Sequence, residues 1–198
     1  GDCTGHGVPG AFMTMAAKAT LDRAVEVHSA EQPAAVLSAL HTGLRALLQT
    51  EAGSGADNGL DLALVTVLPG RKTVIFAGAK LELWALEPGA ENIRIHKGDR
   101  FGVGYQKTPL TTQFTQHTFE FAAGTQLFLT TDGLLDQNGG PRGIGLGKTA
   151  LQACLFAHRA DSFSAQAEAL SAMLIAHQGN TAQRDDITSI GFALNLNP

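Results

Sequence analysis

The strongest constraint on the fold of this chain is a switch in the period of its apolar residues. Up to residue 49 they recur at helical spacing, from 60 to 131 they run as strands, and helical spacing returns at 147. Pro9–Val27 is predicted as a helix, with proline tolerated in the first turn because its missing N–H would be unpaired there anyway. Pro33–Gln49 is predicted as a second helix, its apolar stripe made of Val36, Leu37, Leu40, Leu44, Leu47 and Leu48. The Gly-rich polar stretch Glu51–Gly59 reads as a flexible loop. Leu60–Leu68 and Thr73–Ala77, joined at Pro69-Gly70, read as paired strands. Leu81–Leu86, Ile93–His96, Thr111–Phe121 and Gln126–Thr131 read as further strands. Helices are predicted at Gly147–Ala157 and Ser162–His177, and a last strand at Ile187–Leu194. Helices, then antiparallel strands, then helices and a strand predict an α+β layered fold. There is no internal repeat, and residues 1–198 are expected to form one domain.

Composition narrows the function. The net charge of −4 and the lack of a Lys/Arg cluster argue against nucleic acid as a partner, because phosphate neutralisation needs clustered cations. Two cysteines, Cys3 and Cys154, make no disulfide framework and fit a reducing, cytoplasmic setting. No run reaches the length of a membrane span, so no membrane contact is expected of this segment. The chain opens inside a dense motif, GDCTGHGVPG, so it is expected to be part of a larger protein whose upstream region could tether it to a membrane.

Three short acidic motifs stand at element boundaries: Gly1-Asp2-Cys3-Thr4-Gly5-His6-Gly7, Thr130-Thr131-Asp132-Gly133-Leu134 and Arg184-Asp185-Asp186-Ile187-Thr188. Asp132 ends an apolar strand, Asp185 and Asp186 precede one, and Asp2 precedes a Gly-rich turn into a helix. Carboxylates at strand ends can converge at one rim of a sheet. Like charges brought together need a cation among them, and hard oxygen ligands favour Mg²⁺ or Mn²⁺. Each motif alone is equally an ordinary turn; their coincidence beside apolar strands favours a site.

Taken in order, Asp-Cys-Thr-Gly-His-Gly-Val-Pro-Gly-Ala, Thr-Asp-Gly-Leu and Arg-Asp-Asp-Ile-Thr resemble the PPM-type metal-dependent phosphatases. The resemblance is greatest to the bacterial SpoIIE/RsbU group and its SiaA-like members. It extends to Phe76-Ala77-Gly78-Ala79 and Phe101-Gly102-Val103-Gly104 and so covers most of the chain. It implies an αββα sandwich of two antiparallel sheets flanked by helices, here lacking its N-terminal strands. It implies a two-metal site for Mn²⁺ or Mg²⁺, with Asp2 bridging the ions, the Cys3 backbone carbonyl on one of them, and Asp132 and Asp185 as further ligands. Asp186 is the second half of that acidic pair, and the family's ligand matches the first. The implied reaction is hydrolysis of phosphoserine or phosphothreonine by a metal-activated water. The implied substrate is a phosphorylated partner protein such as a STAS-type anti-sigma-factor antagonist; a homodimer is left open.

The chain departs from the family pattern in three respects, the first being Cys3, which stands where the family usually has Gly and is read as structural because a backbone ligand tolerates the change. The family carries another acidic strand upstream of Asp2, so one metal position is expected to be incomplete here. Thr4 stands where eukaryotic relatives place a histidine general acid, and His6 is read instead as a packed or supporting residue at a helix start. Two other functions compete with the phosphatase reading. A pseudophosphatase, a regulatory module without turnover, is disfavoured by three intact motifs. A P-loop protein is suggested by Gly143-Ile144-Gly145-Leu146-Gly147-Lys148-Thr149, but Arg142 stands where that motif needs glycine, so a loop leading into a helix is predicted. Asp61 is read as a cap or rim residue at a strand start, and Trp84 as core.

Overall fold

The computed structural model describes residues 1–49 and 57–195; most of the Gly-rich loop expected at 51–59 lies outside them. The chain divides into two units, Gly1–Leu83 with His96–Phe121, and Trp84–Ile95 with Ala122–Pro198. Each is a four-stranded antiparallel sheet with its own helices, which is the expected α+β class.

In the first unit the sheet order is β1-β2-β3-β6, from Asp2–Cys3, Leu60–Leu68, Thr73–Ala79 and His117–Glu120. β2 and β3 form the expected hairpin, in register from Leu62 opposite Ala79 to Leu68 opposite Thr73. The Pro69–Arg71 turn is a short 3₁₀ segment that ends on Lys72 with positive φ. Two helices, α1 (Gly7–Val27) and α2 (Pro33–Gln49), complete the unit. Most of the stripe read from the sequence is the buried face of α2: Leu37, Leu40 and Leu44 are fully enclosed and pack with Met13, Ala16, Ala17, Leu60, Leu62 and Val103, whereas Leu47, also expected in the stripe, is exposed. Each such leucine contributes about 2 kcal/mol of transfer free energy. Arg45 of α2 ties down the chain at residues 105–108 by donating to the carbonyls of Tyr105, Gln106 and Thr108.

The strand expected over Thr111–Phe121 is shorter, because its first half bonds elsewhere. Thr112 turns back onto the carbonyl of Pro109, and Asp99 takes both the N–H and the hydroxyl of Thr115. Only residues 117–120 are left to pair with β3.

In the second unit the order is β10-β7-β4-β5, from Ser189–Leu194, Thr125–Thr130, Leu83–Leu86 and Arg94–His96. α4 (Gly147–Ala157) and α5 (Phe163–Gln178) follow the sequence reading, and Ser162 caps α5 by accepting from the N–H of Ala165. Trp84 is buried as expected, with Phe128, Leu134, Leu151 and Leu155. A five-residue helix, α3 (Asp132–Asp136), and a two-stranded ribbon of β8 (Asn138–Gly139) and β9 (Ile144–Gly145) were not foreseen. The glycine-rich stretch from Gly143 is β9 running into α4, the loop-to-helix connection the sequence reading preferred. No helix among the described residues is long and apolar enough to cross a membrane.

Candidate metal centre

In the second unit, the ends of two neighbouring strands carry the acidic residues. β7 ends at Thr130, and Thr131 leads into α3, so Asp132 is the first helical residue rather than the last of a strand. Thr131 is buried and bonds to the opposite segment through both its N–H and its hydroxyl. Its N–H donates to the carbonyl of Thr188 at 3.0 Å. Its hydroxyl accepts from the N–H of Thr188 at 3.0 Å and donates to the carbonyl of Asp186 at 3.2 Å. These bonds continue the β7–β10 pairing past its last rung, Thr130 opposite Ser189, to the acidic pair.

Gly133 allows the final approach. A Cβ there would lie 2.4 Å from the carbonyl oxygen of Asp186, closer than any side chain tolerates. With hydrogen in its place, the carboxylates of Asp132 and Asp185 come together, with an oxygen of each within 4.8 Å of the other. Two exposed carboxylates held this near repel unless a cation lies between them. Asp185 is also fixed by the N–H of Asp186, which donates to its Oδ1 at 2.8 Å. Asp186 stands beside the pair and contributes its carbonyl to Thr131. Gln137 holds the approach from below: fully buried, it donates to the carbonyl of Ala182 and accepts from the N–H of Arg184.

Asp2 and Cys3 belong to the first unit. They form β1, with Asp2 opposite Asp61 and Cys3 opposite Leu60. Thr4 clamps the end of this strand, its N–H and hydroxyl both bonding to the carbonyl of Gly59 while the Gly59 N–H donates back to the hydroxyl. The Gly-rich turn that follows is tight. Gly5 adopts positive φ, and a Cβ on Gly10 would lie 2.5 Å from the carbonyl of Gly5. Burial, with the neighbouring Asp2 charge, pushes the Cys3 thiol up, so it stays protonated and offers no thiolate. His6 caps α1 with an exposed ring and no capping bond, a correction to its reading as a packed residue.

Asp61 also departs from expectation. The expectation is a cap or rim residue at a strand start, and in the structure it is buried, 8% exposed. The ammonium of Lys80 lies 3.1 Å from its Oδ1 and 4.2 Å from the centre of the Tyr105 ring. Sequence reading gave no place to Lys80 and Gln137, and none to Thr131 beyond its motif, because their bonds are to partners distant along the chain. The one local signal was a charged residue, Asp61, inside an otherwise apolar strand.

The chain matches the family model described as stage II sporulation protein E over residues 1–195. No curated protein sequence matches it. Among solved structures it is similar to the SiaA PP2C domain of Pseudomonas aeruginosa, with 37% identity and a TM-score of 0.84, covering 98% of this chain and 73% of that one. It is also similar to RsbX in complex with magnesium, with 15% identity and a TM-score of 0.59 over 96% of this chain and 77% of that one. The catalytic domain of the serine/threonine phosphatase PstP, in complex with two manganese ions, has 13% identity and a TM-score of 0.60 over 98% and 85%. At the last two identities the likeness is one of fold.

Proposed function

The chain belongs to the SpoIIE family of PPM-type phosphatases, and on that premise we propose that it hydrolyses phosphoserine or phosphothreonine in a partner protein at a divalent-metal site. By family membership, Asp132 and Asp185 would hold the ions together with Asp2, which stands where the family's motif carries its bridging ligand. The carbonyl of Cys3 would add a neutral oxygen, and Asp186 would border the site. The observation that carries this reading is the pairing of Asp132 with Asp185, two carboxylates fixed close together by Thr131 and Gly133.

The donor set fits the group. Every side chain named offers carboxylate oxygen, which suits Mg²⁺ or Mn²⁺ and not a thiolate-loving metal. When bound, two such ions lower the pKa of water and stabilise charge on phosphoryl oxygens. The chain's own residues supply position. Thr131 and Gln137 set the spacing of Asp132 and Asp185, and the ladder to β2 sets Asp2. Rigid placement of this kind is where electrostatic catalysis gains most, because the charges need not reorganise during the reaction.

The substrate suggested by family membership is a STAS-type regulator phosphorylated on serine or threonine, recognised by surface docking in the cytoplasm. The test is phosphate release from such a phosphoprotein with Mn²⁺, for the wild type and for Asp132→Asn. Metal-dependent release that the substitution abolishes is expected. A wild type that binds the phosphoprotein but releases no phosphate with either metal would overturn the catalytic reading.

A further inference from the structure

A buried carboxylate stands directly across the strand from the expected bridging ligand, and neither the family assignment nor the motifs account for it. Asp2 on β1 and Asp61 on β2 are cross-strand partners. Directly opposed residues of an antiparallel pair project to the same face of the sheet, with Cβ atoms about 4.5–5.5 Å apart. Two carboxylates so placed are unfavourable unless the arrangement serves a charge. The residue is also built in with care. Lys80 has positive φ, a conformation uncommon for a side-chain-bearing residue, and its N–H is fixed on the carbonyl of Asp99. From there its ammonium reaches both Asp61 and the face of Tyr105. The Tyr105 ring in turn lies against Gly59 and Gly102, where any Cβ would come within 2.4 Å of it.

The two oxygens of Asp61 are not equivalent. Oδ1 is sealed from solvent between Lys80 and Gly102, and the ammonium at 3.1 Å is out of line for a hydrogen bond. That encloses one oxygen, and Oδ2 is the one remaining acceptor of the carboxylate. Lys80 offsets the charge without occupying the acceptor.

We propose that Asp61 is a positioning residue for a divalent cation held at Asp2, its Oδ2 accepting a hydrogen bond from the hydration shell of that cation while Lys80 and Tyr105 hold it in place. The inference rests on the metal-site reading above. Hard divalent cations keep part of their water when bound, and replacing the groups that hold metal ligands in place typically costs about 10–100-fold in affinity. Lys80 then moderates the site: it screens part of the charge that Asp61 presents.

The test is calorimetric titration of Mn²⁺ into wild type, Asp61→Asn and Lys80→Met, with thermal unfolding of each metal-free protein as a check on folding. Asp61→Asn is expected to weaken Mn²⁺ binding about tenfold or more, the scale seen when the partners of metal ligands are replaced. Lys80→Met is expected to tighten it, because the Asp61 charge is no longer offset. An ion pair that served only the fold would lower stability in both variants and leave Mn²⁺ affinity alone. Wild-type affinity in Asp61→Asn overturns the proposal, and so does equal or lower affinity in Lys80→Met, which decides the matter should Asp61→Asn fail to fold. Mn²⁺ binding that is absent in the wild type, or indifferent to Asp132→Asn, would instead fail the metal-site reading. Binding that depends on Asp132 but not on Asp61 fails this inference alone.

Discussion

Thr131 and Thr188 are joined by two 3.0 Å hydrogen bonds, the N–H of each donating to an oxygen of the other. One bond uses the Thr188 carbonyl and the other the Thr131 hydroxyl, so a side chain completes what the backbone ladder of β7 and β10 leaves open. This clasp sets the segment before Ile187 against the start of α3, and the two carboxylates are its consequence.

Thr131→Val keeps shape and removes the hydroxyl. The N–H of Thr188 and the carbonyl of Asp186, both on exposed residues, each lose a partner. A loss of about 0.5–1.5 kcal/mol in unfolding free energy is expected, the net worth of a typical hydrogen bond where water can take over the lost partners. Mn²⁺ affinity should fall with it. Chemical denaturation and calorimetry measure the two effects. Unchanged values of both would show that the clasp does not position the acidic pair.

Gly133→Ala separates local from tertiary preference. Alanine favours a helix over glycine by about 1 kcal/mol, and Gly133 is inside α3. Yet the added Cβ would meet the Asp186 carbonyl at 2.4 Å. The tertiary clash should win, and Mn²⁺ binding should weaken as Asp185 is pushed from Asp132. A variant with higher stability and full metal affinity would count against the close approach.

Asp132→Asn removes a charge with little change of shape. Turnover is expected to drop at least ~10²-fold, the scale of losing one preorganised electrostatic group. The metal-free protein should be no less stable, since repulsion with Asp185 falls. Phosphate-release kinetics and a thermal melt check both halves. Wild-type turnover would remove Asp132 from the site.

His41 gives a pH prediction. It is fully buried on α2, and its Nδ1 accepts the N–H of Gly104 at 3.0 Å. Burial, and to a lesser degree the charge of Arg45, hold it below the usual histidine value of 6.5. The unfolded chain therefore binds a proton at this residue more readily than the folded one. Its effect on stability is absent above pH ~6.5 and becomes a loss as pH falls from there towards the folded-state value. Urea unfolding across that interval should show a steeper loss in wild type than in His41→Gln. Equal slopes would contradict it.

The α2 stripe, the β2–β3 hairpin and the acidic motifs were legible because each is written in consecutive residues. The short pieces were not. β1 is two residues long and exists through Asp61 and Leu60, which the local pattern cannot announce. α3 was hidden because Thr131 and Asp132 follow an apolar strand without a break in composition, and the helix begins where Thr131 turns to its partner. Asp61 was misplaced for the same kind of reason. A charged residue at a strand start is ordinarily solvated, and only Lys80 and Tyr105, brought in by other segments, make it a buried one.

The central claim, that the chain is a metal-dependent phosphatase whose Asp132 and Asp185 serve the metal, is tested most directly by chelation and reconstitution. Phosphate release from a phosphoserine-bearing STAS-type protein is followed in Mn²⁺, after exhaustive treatment with EDTA, and after Mn²⁺ is restored. The account predicts turnover in the first and third conditions and none in the second, with Mg²⁺ able to replace Mn²⁺ and no need for Zn²⁺. Full turnover persisting after the metal has been removed would contradict it.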